Sequence, residues 1–434
     1  MTSVTPLKDL PCADQTVGLK ALQGIRRRRS IIGALEVLHR EMGDVFRLIV
    51  PGFNPVMLVG PEAARFVLVT SRNDFRWRID NEPITILLRH GVLVEDDDSH
   101  DQIRRAMHPA LHKNMLAGYT ESMWRCTDQV TQTWQPGQTL DMLVEMRKVA
   151  LLILTDTLFG VDFSPDLKRL WTGVLRAVQY ISPGPWVLWR GFSHLGYNRH
   201  LRQVDAYLDQ VVALRRSSPA LGSPDDLIGV LMAAGMSNDL IRDQLMTMLI
   251  AGHDTSTASL AWALYLLGAH PDILQQTAAE VRAVLGAQPP AYDHLPQLTL
   301  LDQVIDEVLR LYPPIHLGSR VAATDLAFNG YRIPAGMRVL YSIYLTQRHP
   351  AYWPEPERFI PARFAKGEKH VPYSYLPFGG GPRNCVGAAF AGVETKVVLA
   401  RLLQQFDFTL MRDDVHPHMG ATLEPRPGVF IQVK

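Results

Sequence analysis

One cysteine and its neighbours carry the most specific chemistry in this 434-residue chain. It stands in Phe378-Gly379-Gly380-Gly381-Pro382-Arg383-Asn384-Cys385-Val386-Gly387, with an arginine two residues before the sulfur and an apolar helical pattern after it. A thiolate at Cys385 would lie under the positive end of that helix, which lowers thiol pKa and favours an anionic ligand. Gly381 and Gly387 permit tight turns and the close approach of a flat object. Phe378 can cover one side of the sulfur. These features describe a thiolate ligand for haem iron. The competing reading is a buried structural cysteine after a glycine turn, although a core cysteine requires none of these neighbours.

A second segment, Ala251-Gly252-His253-Asp254-Thr255-Ser256, interrupts a long apolar helical pattern that begins near Leu240. Glycine and small polar residues are poor mid-helix choices. Their presence implies a bulge or groove where a small ligand sits against the backbone. An acid beside an alcohol can feed protons to dioxygen through water. The plainer alternative is a helix kink with ordinary polar groups. His253 reads as a packed or hydrogen-bonded histidine rather than a second iron ligand.

These motifs, in this order and over nearly the whole chain, resemble those of cytochrome P-450, the haem-thiolate monooxygenases. The resemblance implies haem b (iron protoporphyrin IX) with Cys385 as the axial ligand of its iron. It also implies that Thr255 steers protons and Asp254 relays them, while Ala251 and Gly252 make room over the haem. Glu307-Val308-Leu309-Arg310 sets opposite charges at i and i+3, where they can meet, and Pro313-Pro314 ends that helix. With Pro356-Glu357-Arg358-Phe359, it resembles two further family elements and implies a buried Glu307–Arg310–Arg358 network that fixes the cysteine loop.

Haem propionates need cationic or hydrogen-bonding partners. His100 and Arg104, i and i+4 near a helix start, resemble the family's propionate clamp; Arg320 and Arg383 are further candidates. The alternative for each is a surface charge. Positional matching puts the substrate pocket at Ile84 through Leu88 (Ile84, Leu87 and Leu88 in particular), Thr247, Ile250, Ile315, His316, Leu317 and Thr422-Leu423. This mostly apolar set favours a lipophilic substrate. The Pro-Glu-Arg-Phe element and the Phe-Gly-Gly-Gly form of the loop resemble the fatty-acid and eukaryotic-type branch, which favours a fatty acid or a terpenoid.

The elements that must position these residues are mainly helical. Periodicity predicts helices at about 31–40, 61–70, 100–133, 140–160, 165–180, 199–216, 224–234, 237–268, 271–285, 297–312 and 388–405. A hairpin is predicted from Val45 to Val50 and Val56 to Val59 through Pro51-Gly52. Residues 75–95 read as a long loop with at most one helical turn. β-like pieces fall between Val321 and Val339, and closing strands at 406–411 and 428–433. The fold class is mainly α with small β-sheets (α+β), in a single domain over residues 1–434, which is also what the family resemblance implies.

Composition bounds the rest. Hydrophobic residues make up 47% and charged residues 20%, an ordinary globular balance with material for a large core. A net charge of +1 gives nucleic-acid binding no global support. The basic run Arg26 to Arg29 reads as a solvated helix face, with a contact to anionic lipid or a partner site as the alternatives. Three widely spaced cysteines argue against a disulfide framework and fit a reducing, cytoplasmic compartment. No stretch near the N-terminus predicts a membrane span or signal peptide.

No flavin- or nicotinamide-binding region is evident. Electrons from NAD(P)H must then come through a separate ferredoxin or flavodoxin type partner, docked near Arg105, Lys113 and Lys396. The expected protein is a monomer that uses dioxygen and a lipophilic small molecule. A peroxide-using haem-thiolate enzyme is one alternative; the Asp254-Thr255 pair argues against it. A haem gas sensor is another, and it would not need that pair.

Overall fold

The helix Asn238–Ala269 runs for 32 residues through the centre of the protein. The Ser237 side chain accepts a hydrogen bond from the Leu240 N–H at 3.3 Å and caps its start. Pro271 opens the next helix and prevents continuation. The central helix is buried on nearly all sides because it packs against Met142–Leu154, Tyr197–Ser217 and Ala388–Gln405. The computed structural model describes residues 7–49, 52–183, 197–218 and 221–434.

Most predicted helices are present. They include Ile32–Met42, Ser164–Ile181, Leu227–Ala233, Pro271–Leu285, Thr299–Leu311 and Ala388–Gln405. The stretch at 100–133 is two helices, Asp97–Leu111 and Lys113–Thr131. Pro109 lies in the last turn of the first, and His112 is extended and caps the second through the Asn114 N–H. Sequence reasoning missed the helix Gln15–Arg28, whose first turn is capped by the Asp14 carboxylate accepting from the Val17 N–H at 2.8 Å. Arg26, Arg27 and Arg28 occupy its last turn. The predicted loop at 75–95 holds a short strand, Phe75–Arg76, and a helix, Pro83–Leu88.

Four small sheets flank the helices among the described residues. The largest has five strands in the order Val45–Arg47, Val56–Leu58, Arg338–Ser342, Leu317–Ala322 and Phe75–Arg76. All its pairings are antiparallel except Val56–Leu58 with Arg338–Ser342. The predicted hairpin is its outer edge; Val50 and Pro51 lie outside the described residues. A three-stranded sheet joins Thr139–Asp141, Phe430–Val433 and Phe408–Leu410. The hairpin His416–Met419 with Leu423–Arg426 was not predicted. It brings Thr422 against Asp254 of the central helix and Glu424 against Arg147 of Met142–Leu154. Among the described residues no helix is long and apolar enough to cross a membrane.

Candidate active site

A cavity of about 610 Å³ lies between the cysteine loop and the central helix. Phe378, Cys385 and Gly387 line one side; Ala251, Gly252 and Thr255 line the other. The loop is fixed by its own backbone, since the Cys385 N–H donates to the Phe378 carbonyl at 2.9 Å. Gly381 has φ +66°, and a Cβ there would fall 2.4 Å from the Leu68 carbonyl oxygen, so no other residue fits. A Cβ at Gly252 would meet the Leu154 side chain at 2.8 Å, so glycine lets the central helix approach its neighbour there.

The expectation of a lowered thiol pKa is corrected. Burial pushes the Cys385 thiol up, and the Gly387 N–H and the Arg104 guanidinium offset this only partly. The Cys385 residue opens onto the cavity, and a cation bound there would favour its thiolate.

The four predicted cationic or imidazole groups converge on the same cavity: His100, Arg104, Arg320 and Arg383 all line it. Arg320 is the informative one. It is buried, stacks at 3.6 Å on the Trp77 ring, and has no carboxylate paired with it among the described residues. Burial pulls its pKa down to about 10, as expected for a desolvated cation that lacks a counter-ion. Arg383 pairs with Asp96 at 2.7 Å and sits 5.7 Å from the same Trp77 ring. Arg104 donates to the Asn384 carbonyl and side-chain oxygens at 2.7 and 2.8 Å, tying its helix to the cysteine loop. His100 is buried, bonded to Asp101 at 2.8 Å, and lowered in pKa by that burial. A slot with a sulfur on one face, a glycine groove opposite and an uncompensated buried cation at its rim fits a haem and its propionates.

Asp254 and Thr255 are adjacent in sequence but point to different places, as successive helix residues must. Thr255 faces the cavity and donates to the Ala251 carbonyl at 2.7 Å. Asp254 is 1% exposed and accepts from Arg147 at 3.1 Å and from Thr422 at 2.8 Å. Arg147 also pairs with Glu424 at 2.5 Å. His253 is fully buried and donates to the Leu249 carbonyl, which agrees with its reading as a packed histidine.

Sequence reasoning missed a second acid. Glu394, on the helix after the cysteine, lines the cavity and accepts from the Ser256 hydroxyl at 2.5 Å. Burial pushes its carboxyl up from 4.5 to about 8, so it is mostly protonated at neutral pH. A carboxyl raised in the folded state contributes stability that is full below its ordinary value and is lost as pH rises through the folded value. The native chain is thus expected to lose roughly 3–5 kcal/mol between pH 5 and pH 8 relative to Glu394→Gln. Urea denaturation at a series of pH values measures this; parallel profiles for the two proteins would contradict it.

The network behind the cysteine loop departs from expectation at one position. Glu307 and Arg310 are both 0% exposed and paired at 2.6 Å. Arg310 also donates to the Gln347, Pro356 and Arg358 carbonyls at 2.9, 2.8 and 3.1 Å. Arg358 contributes only that carbonyl; its guanidinium is exposed and paired with Glu355. Arg363 takes the predicted place, with its Nε 3.3 Å from Glu307. The signal was legible, because Pro361-Ala362-Arg363-Phe364 repeats the pattern of Pro356-Glu357-Arg358-Phe359 five residues later. Gln347 was also missed. Its side chain donates to the Leu309 and Arg310 carbonyls and accepts from the Leu376 N–H, joining this helix to the chain entering the loop.

Of the predicted pocket residues, Thr247 and Ile315 line the cavity. Ile84, Leu87, Leu88, Ile250, His316, Leu317 and Leu423 do not. Leu87, Leu88, Ile250 and Leu423 are core, where apolar character serves packing. Thr422 serves Asp254. Val92, Leu93, Leu154, Met248, Tyr341 and Ile343 supply the wall instead. Lys396 is also corrected as a docking cation, because its ammonium is held by Asp302 and the Leu295 carbonyl. Arg105 and Lys113 are exposed.

A family model described as Cytochrome P450 matches residues 18–432. Over 430 residues the chain is 33% identical to the protein named cytochrome P450 139 of Mycobacterium tuberculosis, covering 92% of this chain and 97% of that one. It is 30% identical over 344 residues to cyclooctat-9-en-7-ol 5-monooxygenase of Streptomyces melanosporofaciens, covering 74% of this chain and 73% of the relative. Among solved structures, the cytochrome P450DA heme domain superposes with a TM-score of 0.87 at 25% identity, covering 99% and 98% of the two chains. Retinoic acid-bound cyanobacterial CYP120A1 superposes with a TM-score of 0.85 at 25% identity, covering 99% of each.

Proposed function

The chain belongs to the cytochrome P450 family, and on that premise we propose that it hydroxylates a lipophilic small molecule, a terpenoid or a fatty acid. It is a haem-dependent monooxygenase. Bound haem supplies the activation of dioxygen and the transfer of one oxygen atom. The chain's residues do the rest. Cys385 would hold the iron, and His100, Arg104, Arg320 and Arg383 would hold the propionates.

The cavity wall carries the substrate reading. Val92, Leu93, Leu154, Met248, Ile315 and Ile343 are apolar. Four of the wall hydroxyls are already committed: Thr247 donates to the Asp243 carbonyl at 2.7 Å, Thr255 to that of Ala251, Ser256 to Glu394, and Ser259 to the Thr255 carbonyl. Against this apolar stretch a polar substrate would leave its own groups unpaired, which costs more than the contact returns. The relative named for cyclooctat-9-en-7-ol and the neighbour solved with retinoic acid support the same class.

Thr255 positions the proton delivered toward dioxygen, and two acids can supply it. Asp254 draws from the Arg147–Glu424 side, and Glu394 through Ser256. Electrons reach the protein from NAD(P)H through a separate ferredoxin or flavodoxin type protein, for which the exposed Arg105 and Lys113 offer an acidic partner a landing site.

A panel of terpenoids, fatty acids and polar metabolites, titrated into the haem-loaded protein, tests the substrate class. Members of the first two groups are expected to shift the Soret band saturably, and the polar ones to leave it unchanged. Tight binding confined to polar compounds would overturn the reading. The best binder is expected to be hydroxylated only when ferredoxin or flavodoxin, its reductase and NAD(P)H are all present.

A further inference from the structure

We propose that His39, Asp44 and His349 form a site for one divalent transition-metal ion, zinc by donor type, outside the cavity. His39 lies near the end of the helix Ile32–Met42, Asp44 in the turn before the strand Val45–Arg47, and His349 just after the helix Ile343–Thr346. Asp44 and His349 are 305 residues apart in sequence, so the cluster is a product of the fold.

The donor geometry supports a metal. One ligand atom from each residue lies within 4.8 Å of the others. The Nε2 atoms of His39 and His349 stand 2.8 and 3.1 Å from one Asp44 oxygen. Tetrahedral zinc bound to imidazole nitrogen and carboxylate oxygen at roughly 2.0–2.2 Å sets its ligands about 3.3–3.5 Å apart. The two nitrogen–oxygen distances would lengthen by only a few tenths of an ångström to reach that spacing, and the two nitrogens lie within 4.8 Å of each other. Two nitrogens and one carboxylate are a donor set that zinc accepts, with a fourth position left to water. The two histidines are 16% and 15% exposed and Asp44 is 44% exposed, so the rings are held while the carboxylate side stays open for entry.

Both rings change tautomer on binding, because each Nε2–H donates to the Asp44 carboxylate. The Ala351 N–H donates to Nδ1 of His349 at 3.1 Å, so a neutral His349 carries its proton on Nε2 and offers it to Asp44. A metal at Nε2 moves that proton to Nδ1, and the exposed Ala351 N–H turns to water. The site also joins two layers. His349 follows Gln347 and Arg348, whose side chains bond the Leu309, Arg310 and Leu311 carbonyls at the end of the Thr299–Leu311 helix. A metal there would tie the helix Ile32–Met42 to the segment that braces the approach to the cysteine loop, and would raise stability by mass action.

The test is calorimetric titration of Zn(II) into the haem-loaded full chain after dialysis against chelator, with the thermal midpoint followed in parallel. The chain has 15 histidines, so stoichiometry matters as much as affinity. One tight equivalent per chain and a rise in the midpoint are expected. His39→Ala, His349→Ala and the near-isosteric Asp44→Asn should each weaken that equivalent by at least about 10–100-fold. They should also remove the zinc-dependent rise. Zinc binding of the same stoichiometry and affinity in all three variants, or no tight equivalent in the native chain, would overturn the proposal and leave a hydrogen-bonded histidine–aspartate cluster only.

Discussion

Glu307→Ala is expected to cost roughly 3–5 kcal/mol and to leave most of the expressed protein without haem, because it strands the fully buried guanidinium of Arg310. Arg310→Ala should do comparable damage from the other side. It removes the donors to three carbonyls and leaves the Glu307 carboxylate with only the Ile360 N–H and Arg363. The structure makes a sharper prediction by separating the two arginines downstream. Arg363→Ala should lower the thermal midpoint and haem content, since its guanidinium meets Glu307. Arg358→Ala should change stability by no more than about 0.5 kcal/mol, because an exposed pair with Glu355 is all it loses. Haem per chain and thermal midpoint for the four variants measure this. Damage from Arg358→Ala equal to that from Glu307→Ala would show that the network extends beyond the observed contacts.

Thr255→Ala should uncouple the enzyme. The variant is expected to bind haem and substrate normally and to take up electrons. Product per NAD(P)H should nonetheless fall by about 10-fold or more, with hydrogen peroxide rising to match. Thr255 carries the hydroxyl that faces the cavity, and its loss also frees the Ala251 carbonyl it holds. Asp254→Asn should behave differently. Its carboxylate lies away from the cavity against Arg147 and Thr422, so its loss slows proton supply and lowers turnover more than coupling. Full coupling in Thr255→Ala would remove this hydroxyl from the account and shift weight to Ser256 and Glu394.

Much of the site was legible because its parts are local. The spacing around Cys385 and the polar break in the Asn238–Ala269 helix are each confined to a few consecutive residues, and both faced the cavity as expected. What escaped depends on direction or on long range. Asp254 and Thr255 read as one acid–alcohol pair, yet the helical twist sends them to different sides. Glu394 was readable in principle: it lies on the same stripe as Phe390, Val397 and Val398, so periodicity places a carboxyl on a buried face. Trp77 lies in a stretch without periodicity, and nothing local marks it as the ring on which Arg320 and Arg383 stack. The pocket residues failed for a plainer reason. Leu87, Leu88 and Leu423 are apolar for the core, and composition does not separate a core position from a cavity wall.

The most direct test of the central claim is the absorption spectrum of the reduced, carbon monoxide-bound protein, compared between the native chain, Cys385→Ala and Cys126→Ala. Thiolate ligation by Cys385 predicts a strongly red-shifted Soret band in the native protein. The same band should survive in Cys126→Ala, whose buried thiol is pushed up to about 12 by burial and stays protonated. It should vanish in Cys385→Ala. A red-shifted band that persists in Cys385→Ala, or one that disappears in Cys126→Ala, would contradict the assignment of the iron ligand and the function built on it.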